Sequence, residues 1–122
     1  MSVDPAEIVK RYLDTVLTGT ADDIAALYAD DATLEDPVGG GEVHIGRQAI
    51  AGFYKALETA DTAVELLQLR VGGHEAAFIF AITVTAGETK MRIEPIETMV
   101  FNGEGKIASM KAYWSPDDIK ML

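Results

Sequence analysis

The spacing of apolar residues changes along this chain, and that change restricts its fold more than any other feature. In the first half they recur mainly every three or four residues, the interval of one helix face. From Ala63 onward they recur every second residue, the interval of one strand face. Helices first and strands after describe an α+β domain, in which helices cover one side of a mainly antiparallel sheet. Hydrophobic residues make up 48% of the 122, enough for a core without disulfide or metal support, so residues 1–122 are expected to form one domain.

Local signals divide the two halves. Asp4 suits a helix cap, Pro5 the first helical position, and Glu7 stands three residues after the cap. Ile8, Val9, Tyr12, Leu13, Val16 and Leu17 then form one stripe, which Gly19 ends. Thr20 caps a short second helix through Ile24, Leu27 and Tyr28. A third helix is expected from about Arg47 to Thr59, with Ala49, Ile50, Phe53, Tyr54 and Leu57 inward. Among the strands, Leu67, Leu69 and Val71 alternate with Gln68 and Arg70. Ala76 to Thr85 is apolar on both faces, a central strand with Phe78 and Phe80 on one side. Gly87 turns into a long strand from Thr89 to Phe101, Asn102-Gly103 is a hairpin signal, and Ile107 to Trp114 completes a four-strand meander.

Charge narrows the partners. The net charge of −10, from 20 acidic and 10 basic residues, repels nucleic acid and anionic membranes and favours a neutral apolar ligand. No apolar run approaches the ~20 residues that span a bilayer. The acidic start MSVDPAEIVK lacks a signal-peptide pattern, so a cytoplasmic protein is expected. With no cysteine, thiol chemistry is excluded.

Three inward polar groups need a purpose. In the run YADDATLEDPVGGG, Ala32 and Leu34 lie on one strand face and Thr33 and Glu35 on the other. By that parity Asp36 falls on the apolar face, at the strand's end, before Pro37 and three glycines. Its plainer purpose is to open a turn, as Asp before Pro often does. Glu97 shares an apolar face with Met91, Ile93, Met99 and Phe101, provided that Pro95 introduces no bulge to shift the parity. On the last strand Ala108, Met110, Ala112 and Trp114 wall the same space, and Tyr12 points inward from the first helix. Two carboxyl groups in one apolar pocket do not both ionise; one stays a base and the other a neutral donor. A base with two hydrogen-bond donors suits removal of a proton beside a carbonyl, the donors holding the enolate oxygen.

These residues resemble a known family. YADDATLEDPVGG, the RYL of the first helix, the GFY of the third, EPIETMVF and SMKAYWS are together similar to bacterial steroid Δ5-3-ketosteroid isomerases, of the NTF2-like and SnoaL-like cone-fold superfamily, collinearly over nearly the whole chain. The resemblance implies a cone of three N-terminal helices packed on a curved sheet around a deep apolar pocket that takes a steroid-like substrate, in a homodimer, with no metal or organic cofactor. It implies Asp36 as general base and Tyr12 as oxyanion donor, with Tyr28 and Tyr54 in a hydroxyl network. Phe80, Met99, Met110 and Trp114 become substrate walls, and the Asp36–Pro37 bond is expected to be cis. The family's second donor is an aspartic acid; here it is Glu97, whose extra methylene shifts the donor by an ångström or so, enough to cost about 10²-fold in rate. Ile96, Val100 and Ile107 are expected on the outer sheet face, available to a second copy.

Other uses of the same fold make different demands. A SnoaL-like polyketide cyclase or aldolase and a non-catalytic apolar-ligand module are the alternatives. An epoxide hydrolase needs an inward arginine between two acids, and Arg92 is on the polar parity. A dehydratase needs an inward His–Asp pair, whereas His44 is expected in a loop and His74 in a turn, both exposed and without metal-ligand spacing.

Overall fold

The computed structural model describes residues 4–40, 42–58 and 60–122. Helix α1 (Pro5–Thr18) starts as expected, the Asp4 carboxylate accepting from the Ala6 N–H at 3.0 Å. Ile8, Val9, Tyr12 and Leu13 are buried along its stripe, but Leu17 lies at the rim beside Val64 and Leu66 and is 46% exposed. Helix α2 (Ala21–Ala25) opens on a capping box between Thr20 and Asp23 and stops sooner than expected. Its continuation has already joined the sheet: the Ile107 N–H donates to the Leu27 carbonyl at 3.0 Å, and Tyr28 begins strand β1 (Tyr28–Glu35).

Ala32 and Leu34 are buried on β1, whereas Asp30 and Asp31 are both exposed, where the pairing with its neighbour slips. The stretch expected to be a loop contains a short strand β2 (Val43–Ile45), antiparallel to β1, with His44 opposite Leu34 and Val43 opposite Glu35. Gly46, at φ 89°, turns β2 into helix α3 (Arg47–Lys55), a conformation that a side chain would strain. Arg47 ties that start to β1, its Nε donating to the Tyr28 carbonyl at 2.7 Å and its Nη1 lying 2.6 Å from Asp30 Oδ1. Ile50 and Tyr54 are buried and Phe53 is half-buried; Ala49 is exposed, and Ala51 packs on the core instead. The helix ends at Lys55, while the expected end at Thr59 lies outside the described residues.

The remaining strands are β3 (Asp61–Gly72), β4 (Glu75–Ala86), β5 (Thr89–Ile93), β6 (Ile96–Phe101), β7 (Ile107–Tyr113) and β8 (Lys120–Met121), with a short 3-10 turn at Pro116–Asp118. They build one sheet of eight strands in the order β2-β1-β7-β6-β4-β5-β8, with β3 on the other edge of β4. Every pairing is antiparallel except β1 with β7, so a mixed sheet replaces the simple meander. Helix α1 packs on β3 and β4, and α3 on β1 and β2, which closes one face of the curved sheet and makes the cone.

Irregularities in the ladders decide which residues face inward. A register shift at Leu67 leaves Leu67 exposed and puts Leu69 half-buried on the inner face, while Val71, near the strand's end, is exposed. The hairpin loop runs from Asn102 to Lys106, longer than an Asn-Gly turn: the Asn102 carbonyl oxygen Oδ1 accepts from the N–H groups of Glu104 and Lys106, and Gly105 has φ 79°. A second shift, at Ala108, turns Ile107 inward, so Ile107 is fully buried rather than on the outer face. The long strand is interrupted at Glu94 and Pro95, yet Ile82 faces Ile93 and Ile79 faces Ile96, an equal step on both strands. No residue is inserted, and Met91, Ile93 and Glu97 stay on one face. Leu34, Ile50, Phe78, Met99, Ile107 and Met110 form the fully buried centre, each contributing about 1.5–3 kcal/mol by leaving water. Among the described residues, no helix is long and apolar enough to cross a membrane.

Candidate active site

A largely apolar cavity of about 310 Å³ opens between α1, α3 and the inner faces of β4, β5 and β6. Phe80, Ile82 and Val84 wall it from β4, Met91 and Ile93 from β5, Val16 and Phe53 from the helices, and Leu57 from the turn after α3. Tyr12, Asp36, Glu97, Tyr54 and Trp114 supply its polar atoms. Of the residues singled out in the sequence, Tyr12, Asp36, Glu97, Tyr54, Phe80 and Trp114 therefore share one cavity. Tyr28, Met99 and Met110 do not line it; they are fully buried behind the wall, because their strands pack that far into the core. The additional wall positions follow the periods of residues already noticed. Val16 is one turn after Tyr12, and Ile82 and Val84 continue the face of Phe80.

Asp36 stands one residue past the end of β1, half-buried, and its bond to Pro37 is cis. The Trp114 indole Nε1–H donates to Asp36 Oδ1 at 2.6 Å, so Trp114 positions the carboxylate as well as walling the cavity. Burial pushes Asp36 above the usual carboxylate range, while the Trp114 bond and the charge of His44 pull it back. Glu97 has no such restraint. It is 2% exposed, its Oε1 has no hydrogen-bond partner, and burial first, then the Asp36 charge, push it well above the usual range. Burial thus raises the pKa of both carboxyl groups of the cavity, Glu97 further than Asp36, so the neutral form is favoured most strongly at Glu97. Replacing Trp114 by Phe removes a bond that favours the anion, so Asp36 is expected to titrate at higher pH. A carbon NMR titration of its side chain checks this, and an unchanged midpoint contradicts it.

Three tyrosines extend the polar side of the cavity into the core. Tyr54 Oη lies 2.7 Å from Tyr12 Oη and 2.7 Å from Tyr28 Oη. Burial, first among the causes, pushes all three hydroxyls well above the usual tyrosine value, so each keeps its single proton. Either oxygen of each pair can donate; if Tyr28 donates to Tyr54 and Tyr54 to Tyr12, the Tyr12 proton is free to point into the cavity, polarised by the chain behind it. One base with two neutral donors is the equipment for enolate chemistry. Among the described residues, no three His, Asp or Glu side chains gather as metal ligands do.

The expectation for His44 changes as well. His44 is half-buried rather than loop-exposed: it sits on β2, its ring 5.2 Å from that of Phe53, and it lines a second, outer cavity with Asp36. Three residues of strand are too few for a period to show, so alternation could not have found it.

A helix-covered curved sheet enclosing an apolar cavity with two unequal carboxyl groups defines a class of small cone-shaped domains. The chain belongs to the SnoaL-like domain family, of the NTF2-like fold, whose family model matches residues 9–110. It is 49% identical over 119 residues to the steroid Delta-isomerase of Nocardioides simplex, covering 98% of this chain and 96% of that one. Among solved structures, it is similar to SalBIII, an epoxide hydrolase/cyclase-like enzyme of pyran ring formation in the polyether salinomycin, with TM-score 0.89, 32% identity and coverage of 96% and 95%. RV0760c from Mycobacterium tuberculosis shares the fold, with TM-score 0.90 at 23% identity over 100% of this chain and 99% of that one.

Proposed function

We propose that this protein is a steroid Δ-isomerase, moving a double bond from the Δ5 to the Δ4 position of a 3-ketosteroid. One observation carries the reading: a restrained carboxylate, Asp36, shares an apolar cavity with an unpartnered neutral acid, Glu97, and a tyrosine hydroxyl, Tyr12. The substrate carbonyl oxygen accepts from Tyr12 and Glu97. Asp36 removes a proton from the carbon between the carbonyl and the double bond, and the electron pair moves into a dienolate whose oxygen the two donors hold. Asp36 then returns the proton to the far end of the dienolate, giving the conjugated enone and the free carboxylate. The kinship with the Nocardioides simplex isomerase supports this substrate class.

The likeness to an epoxide hydrolase/cyclase-like enzyme makes cyclisation the second reading. Against epoxide opening, no Arg or Lys among the described residues lines the cavity, and Arg92 Nε is engaged by Glu94 Oε2 at 3.2 Å. Mixing the protein with a Δ5-3-ketosteroid is expected to raise the conjugated-enone absorbance in proportion to enzyme. A steroid that binds without being converted indicates a binding module or a cyclase.

The same reading makes the protein a cytoplasmic homodimer joined through the outer sheet face. Ile79, Ile96 and Tyr113 stand opposite one another on three adjacent strands, and Ile96 and Tyr113 are 47% and 46% exposed, with Val100 nearby at 37%. Such an exposed apolar row favours a second copy. The parent is expected at dimer mass at micromolar concentration and Ile96→Asp at monomer mass. A monomeric parent contradicts the assembly.

A further inference from the structure

The outer cavity is separate from the substrate walls of β4 and β5. Asp36, Pro37, Gly40, Glu42, His44, Gly52, Phe53, Ala56 and Leu57 line it, and Asp36, Phe53 and Leu57 border both cavities. Asp36 therefore has an inner side, where Trp114 holds Oδ1, and an outer side occupied by β2. On the antiparallel β1–β2 pair, His44 stands opposite Leu34, two residues before Asp36. Cross-strand partners share a face, and diagonal neighbours on that face are about 7–8 Å apart, within reach of an imidazole. Phe53, 5.2 Å from the His44 ring, keeps that ring over the outer cavity.

We propose that His44 is a positioning residue for Asp36, its imidazolium acting as the counter-charge that faces the carboxylate from the side away from the substrate. The other titratable group in this cavity is Glu42, which approaches from the β1–β2 connection. Helix α3 presents Gly52 and Phe53 and the turn after it Ala56 and Leu57, none of them titratable. A cation here favours the Asp36 anion, opposing the effect of burial. The carboxylate then stays available as a base to lower pH than its half-buried position alone permits. The inference rests on the proposed role of Asp36 as base, so its test includes a measurement that needs no turnover.

The experiment follows the Asp36 side-chain carbon by NMR titration in the parent, His44→Gln and His44→Lys, alongside pH profiles of kcat/KM. A single charge about 7–8 Å away is worth at least about half a pH unit, the value at the dielectric constant of water. His44→Gln is expected to move the Asp36 midpoint up by about that amount, and His44→Lys to leave it at or below the parent value. The acid limb of kcat/KM moves with it, while KM changes little. A role of His44 in folding alone would lower activity at every pH without moving the limb. Identical Asp36 midpoints in the three proteins overturn the proposal. Midpoints that move while the acid limb stays still support the pairing and instead overturn Asp36 as the base.

Discussion

Replacing Asp36 by Asn is expected to lower kcat on a Δ5-3-ketosteroid by about 10²–10⁴-fold, the contribution of a positioned general base. The amide keeps the size of the carboxylate and accepts the Trp114 indole N–H through its oxygen, so the fold and the cavity should persist. What it lacks is a lone pair basic enough to take a carbon-bound proton. KM is expected to change little, because the apolar walls from β4, β5 and the helices make most of the contact with a steroid. Steady-state kinetics with circular dichroism as a check on folding measure both. A variant that isomerises as fast as the parent moves the base elsewhere.

The second large effect is expected at Glu97. Loss of one oxyanion donor costs about 10²–10³-fold in kcat, so Glu97→Ala should fall by that order while Tyr12 retains part of the activity. Glu97→Gln keeps a neutral donor at the same reach and is expected to preserve far more turnover. The pH dependence separates the two further. Glu97 donates only when protonated, so parent activity should fall as pH rises through its raised pKa, in a limb absent from the Gln variant. Stability follows the same sign. A group whose pKa is raised by folding stabilises fully below its unfolded pKa and loses that contribution as pH rises through the folded one. Denaturant midpoints of the parent should therefore decline toward alkaline pH more steeply than those of Glu97→Gln. Equal impairment of the Gln and Ala variants contradicts the donor role.

Much of this architecture was legible because period and burial agree. The stripe of Ile8, Val9, Tyr12 and Leu13 and the face of Phe78 and Phe80 are buried as their spacing requires. The parity that placed Glu97 on an apolar face survives Pro95, because pairing resumes in the same register beyond it. What alternation could not show came from breaks in pairing and from short strands. The shift at Ala108 sends Ile107 inward, and the one at Leu67 leaves that side chain outside. Strands β2 and β8, of three and two residues, carry no period of their own, and β8 is held by a partner distant in sequence. Met99 and Met110 show the other limit. Their parity correctly turned them inward, but depth along the strand decides whether an inward residue meets the cavity or the core behind it. The partnership of Trp114 with Asp36 joins residues 78 positions apart in the chain, across the parallel β1–β7 pairing that local patterns cannot foresee.

The central claim is that one carboxylate, Asp36, both removes and returns the same proton. It is tested most directly with a Δ5-3-ketosteroid carrying deuterium on the carbon between the carbonyl and the double bond, converted in ordinary water. The account predicts an enone with much of that deuterium at the far end of the former dienolate, detected by mass spectrometry and NMR. Enone whose label has exchanged completely with water, or no enone at all, contradicts it.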